Sequence, residues 1–72
     1  MNDYYPLIPV FQDMVSQAEK DVATSIGNIQ EAVAKRDFLL ASSHSQTLSI
    51  SLDRIAIYQS LVEWARDLAS RD

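Results

Sequence analysis

Apolar residues in the first half of the chain recur at Phe11, Val15, Ala18, Val22, Ile26, Ile29 and Val33, in steps of three and four that trace one face of a continuous amphipathic helix. Polar side chains fill the rest of its circumference: Asp13, Gln17, Lys20, Thr24, Glu31 and Lys35 all project away from that stripe. Such a helix needs one neighbour. The second half differs in carrying two apolar stripes, Leu48, Leu52, Ile55 and Val62 on one side, and Ile50, Ile57, Leu61, Trp64 and Leu68 on another. At about 100° per residue their centres lie well over a quarter-turn apart, so one adjacent helix cannot cover both. The pattern predicts an all-α antiparallel helical hairpin. Its expected intramolecular core is Phe11, Val15, Val22, Ile26, Ile29 and Val33 from the first helix with Leu48, Leu52, Ile55 and Val62 from the second.

Breakers set the boundaries. Both prolines, Pro6 and Pro9, lie near the start, where they suit the first turn of a helix and not its interior. Residues 1–8 therefore read as an N-terminal arm, with Tyr4, Tyr5, Leu7 and Ile8 to bury, and residues 9–72 as a single helical domain. The turn is expected at Lys35-Arg36-Asp37, where two cations suit a helix C-terminus and Asp37 can cap the helix that follows. Ser42-Ser43-His44-Ser45-Gln46-Thr47 is the weak stretch, because its hydroxyls compete with backbone hydrogen bonds. Phe38, Ala41, Ser45, Leu48, Leu52 and Ile55 keep helical spacing through it, which favours an unbroken helix over a third short segment near 38–46. Gly27, the one glycine, lies off the stripe and marks either a mild kink or a close approach of another backbone.

If the first helix packs on the Leu48, Leu52, Ile55, Val62 stripe, then Ile50, Ile57, Leu61, Trp64 and Leu68 face outward as a patch larger than soluble monomers usually expose. The economical cover is a second copy, two hairpins pairing through their second helices to complete a four-helix bundle as a homodimer, with Trp64 as anchor. Three other covers stay open: the arm folded back, a three-helix domain broken at 42–47, or the helix of a different protein.

Composition narrows the partners. A chain of 72 residues is near the lower size limit for folding without staples, and with no cysteine it has neither disulfides nor thiolate metal ligands. Association is then a natural source of stability. The net charge of −4 and six scattered Lys and Arg argue against nucleic acid. No apolar run approaches the roughly 20 residues that span a bilayer, and no leader pattern is present, so a cytoplasmic protein without a membrane partner is expected.

Candidate chemistry is sparse. His44, the one histidine, shares a face with Ala41 and Leu48 and would act as a base for a neighbouring serine only with an orienting acid and an oxyanion site, neither of which is signalled. Glu63 and Asp67, four apart, read as a solvated face more simply than as metal ligands. No catalytic residue, metal or cofactor is expected. Ser49-Ile50-Ser51-Leu52-Asp53, followed by Ile55 and Tyr58, resembles the Ser-x-x-Leu-Asp signature of Spo0E-like aspartyl-phosphate phosphatases, themselves short helical hairpins. That resemblance implies a regulator of a phosphorylated response regulator, with Asp53 as its key residue. Without it, Leu52 is core and Asp53 lies on the polar face beside Ser49 and Ser60. In architecture alone, the small acidic hairpin is also similar to the co-chaperones of bacterial type III secretion systems, which shield an aggregation-prone helical subunit. The reading that absorbs most of the pattern is a non-enzymatic protein–protein interaction module of adaptor, regulator or co-chaperone type. It would bind itself or another helical protein through Ile50, Ile57, Leu61, Trp64 and Leu68.

Overall fold

The computed structural model describes residues 4–71 and consists of two helices, α1 (Leu7–Ala34) and α2 (Phe38–Ser70), packed as an antiparallel hairpin. Residues 1–3 of the expected arm lie outside the described residues. In the rest of the arm Tyr4–Pro6 form a turn and Leu7 and Ile8 open α1, which takes in Pro9 as its third residue. Proline is tolerated there because its missing N–H is among those with no partner inside the helix. No side chain caps this end. Instead a turn over Tyr4–Pro6 supplies acceptors, with the Leu7 N–H donating to the Tyr4 carbonyl at 3.1 Å and the Ile8 N–H to the Tyr5 carbonyl at 3.2 Å.

The turn between the helices falls at the expected residues. Arg36 adopts a left-handed conformation, φ 58°, so that its N–H donates to the Val33 carbonyl at 3.0 Å while the Asp37 N–H donates to the Ala32 carbonyl at 2.9 Å. This Schellman arrangement satisfies two of the terminal carbonyls of α1. Asp37 then caps α2, its Oδ1 accepting from the Leu40 N–H at 3.1 Å. α2 runs unbroken through the serine-rich stretch, so no third segment forms near 38–46. The hydroxyls there turn back onto their own helix: Ser45 donates to the Ala41 carbonyl at 2.8 Å and Thr47 to the Ser43 carbonyl at 3.4 Å. Competition for the backbone is thereby turned into bonds that leave the helix intact.

The seam between the helices holds the main departure from the sequence pattern. Fully buried positions are Ala18, Ser25 and Ala32 on α1, with Ala41, Ser51, Val62, Ala65 and Ala69 on α2. Half-buried Phe11, Met14, Asp21 and Asn28 complete the α1 row, and His44, Leu48, Ile55 and Tyr58 the α2 row. Both rows step by alternating threes and fours, the seven-residue repeat of two helices wrapped about each other. At 100° per residue this seam is rotated by roughly 70° on α1 and 45° on α2 from the stripes of large aliphatic residues. Of the expected core, Val62 is buried, and Phe11, Val15, Val22, Ile29, Leu48 and Ile55 are half-buried. Ile26, Val33 and Leu52 lie outside it, 43%, 48% and 51% exposed. Alanine and serine occupy the line of closest approach because small side chains let the helix axes come near each other. Bulky branched residues are displaced to the flanks.

The result is a rod of 56 × 13 × 11 Å with a radius of gyration of 16.5 Å. A compact chain of this length would have a radius of about 11 Å. Each helix has one neighbour, so each buries one narrow strip, and among the described residues nothing larger than a valine is buried. Among the described residues no helix is long and apolar enough to cross a membrane.

Candidate interaction face

The capped, continuous α2 holds Ile50, Ile57, Leu61, Trp64 and Leu68 in a straight row about 110° around the helix from the seam. Leu61 and Leu68 are half-buried on the side nearer α1, whereas Ile50, Ile57 and Trp64 are 52%, 57% and 48% exposed. The structure thus brings all five residues to one face. It also places Arg54 among them, since the steps from 50 through 54, 57, 61 and 64 to 68 alternate four and three. A pattern of apolar positions alone does not include Arg54. Its spacing is the signal that includes it.

The turn that precedes α1 covers part of this surface. Tyr4 meets Trp64 edge to face, ring centroids 5.7 Å apart at 80°, a geometry that aligns the ring edge with the negative π face. Tyr5 is 60% exposed, and Trp64 stays about half in water. One aromatic contact at the end of the row leaves Ile50 and Ile57 uncovered.

Two shallow grooves mark the two broad sides of the hairpin. Met14, Gln17, Ala18 and Asp21 meet Arg54 and Tyr58 on one side, where the half-buried Asp21 accepts from Gln17 Nε2 at 3.3 Å. Gln12 and Val15 meet Gln59, Val62, Glu63 and Arg66 on the other. That second side also carries an apolar flank not anticipated as a surface, Val15, Val22, Ile26, Ile29 and Val33, which is the α1 stripe displaced from the seam. At the turn, Phe38 and Leu39 add an apolar tip, 64% and 87% exposed.

The residues singled out for chemistry are not gathered. His44 is half-buried in the seam, while Ser49 and Asp53 are exposed on the outside of α2. Ser60 donates to the Ala56 carbonyl at 3.0 Å. Among the described residues no group of three or more His, Asp or Glu side chains is placed to hold a metal ion. The two described ion pairs are exposed and local, Lys35 with Glu31 at 2.8 Å and Arg71 with Asp67 at 2.6 Å. The Lys35 hydrogen bond and charge hold the Glu31 carboxyl below its ordinary pKa, and Glu31 in turn raises that of Lys35. Both pairs secure helix ends and neither lies in the apolar row. No protein-family model matches the chain, and no curated protein or solved structure matches it.

Proposed function

We propose that this chain is a non-enzymatic helical protein–protein interaction module that works by seating another helix on the outer face of α2. A second copy is the occupant, and the pair forms a four-helix bundle. One observation carries the reading: a hairpin whose own seam buries nothing larger than a valine leaves Ile50, Ile57 and Trp64 about half in water along a single line. Completing the burial of the five side chains is worth roughly 1 kcal/mol each, on the order of 10 kcal/mol for two copies. Association costs about 4–15 kcal/mol before other contacts are counted. The face therefore supports a dimer of modest strength, and the aromatic anchor carries much of it.

Sedimentation at tens of micromolar tests this. The expected species has twice the 8.1 kDa chain mass, and Trp64→Ala, which leaves the seam intact, should weaken the dimer about tenfold or more. A folded monomer for the unaltered chain at that concentration would overturn the homodimer. Asp53→Asn separates the module from an aspartyl-phosphate phosphatase: a module keeps its association after the substitution, whereas dephosphorylation of a phosphorylated response regulator that vanishes with it would mark the phosphatase.

A further inference from the structure

We infer that the two copies meet antiparallel through the α2 row, with Arg54 of each lying on Trp64 of the other; this rests on the homodimer reading above. The row from Ile50 to Leu68 has the step pattern four, three, four, three, four, which reads the same from either end. A two-fold axis at the level of Gln59 therefore sets Ile50 opposite the second copy's Leu68, Ile57 opposite its Leu61, and Arg54 opposite its Trp64. The single charged member of the row falls on its single aromatic member. A guanidinium over an indole face is an attractive pairing that strengthens as water leaves.

A parallel pairing gives the opposite result. Same-numbered residues would face each other, bringing two Arg54 guanidinium groups together in an apolar strip, with like charges desolvated at close range. Within its own hairpin Arg54 lines the same groove as Asp21, whose Oδ1 accepts from Gln17 Nε2 at 3.3 Å. Across the same axis Asp53 faces the second copy's Ala65 and Asp67 its Ser51, so no two carboxylates are set directly opposite, and Asp67 is already paired with Arg71 at 2.6 Å. A foreign helix would have to bring its own aromatic or acidic residue to the right turn to accommodate Arg54. A second copy already has one.

Because the chain has no cysteine, single-cysteine variants read the orientation directly. Ile50→Cys and Leu68→Cys chains, one of them isotopically labelled, are mixed at a concentration where the unaltered chain sediments as a dimer and are then oxidised. The expected product is the labelled–unlabelled disulfide, with little crosslinking of either variant alone, since the two Ile50 positions of an antiparallel pair lie about 27 Å apart along the axis. Self-crosslinking of each variant would overturn the antiparallel arrangement and leave the homodimer standing. A monomeric unaltered chain would remove both, and a dimer that crosslinks in neither way would remove this face as the interface. In the second arm, Arg54→Ala is expected to raise the dimer dissociation constant about 5- to 30-fold, and to have no further effect once Trp64→Leu is present. An unchanged constant would overturn the Arg54–Trp64 pairing.

Discussion

Arg36 and Gly27 hold each other's natural places. The turn requires a left-handed residue at position 36, where Arg36 sits at φ 58° and an L side chain crowds the carbonyl that follows it. Gly27 lies within α1 at an ordinary helical conformation, and a Cβ built there meets nothing within 4 Å. The close approach that a mid-helix glycine allows is therefore not used within the hairpin. Arg36→Gly should stabilise the fold by about 0.5–1 kcal/mol, the relief of strain exceeding the added freedom of the unfolded chain. Gly27→Ala should gain a similar amount for the opposite reason, by narrowing the unfolded ensemble at no steric cost. Each corresponds to roughly 2–8 °C in melting temperature for a domain of this size. Thermal melts at one fixed chain concentration check both. The sites share no contacts and are about 13 Å apart along the helix, so the double variant should show the sum.

Between elements, the hairpin tests which apolar residues count as core. The turn, the Asp37 cap and the continuity of α2 were legible because each depends on a few adjacent residues. The five-residue outer row was legible because residues on one helix face keep a fixed spacing whatever packs against them. The seam was not. Large aliphatic side chains mark the most hydrophobic side of a helix, but two helices in a lone hairpin meet along the side where backbones approach most closely, and that side is Ala18, Ser25 and Ala32. Hydrophobicity and closest approach coincide in a multilayered core and separate in a single layer. Arg54 was missed by the same weighting, since a charge inside an apolar row carries no hydrophobic signal. The two versions of the core make different predictions for Leu52 and Val62, which the sequence pattern treats as equals. Leu52 is 51% exposed and Val62 is 7% exposed, so Val62→Ala should cost on the order of 1–3 kcal/mol and Leu52→Ala about 0.5 kcal/mol or less. Equal losses in urea unfolding would restore Leu52 to the core.

For the whole molecule, the decisive quantity is shape. Two helices side by side form a single layer, so every helix face that does not look at the other helix looks at solvent, and apolar flanks remain on both broad sides. On one side lies the α2 row, the face proposed to take a second copy; on the other, Ile26, Val33 and Leu52 are exposed. Small single-layer folds have little stability of their own, and a partner bound only to the folded state adds to it by mass action. Melting temperature should accordingly rise with chain concentration across the micromolar range, without a change in the helical signal at low temperature. Trp64→Ala should lower the melting temperature and flatten that dependence, because it removes the anchor of the outer row and leaves Val62, Ala65 and Ala69 in the seam. Leu39→Ala is the control: Leu39 is more exposed than Trp64, at 87% against 48%, but sits at the turn, away from the row. If exposure of apolar surface alone drove association, the two variants would behave alike. If the α2 row drives it, only Trp64→Ala changes the slope of melting temperature against concentration.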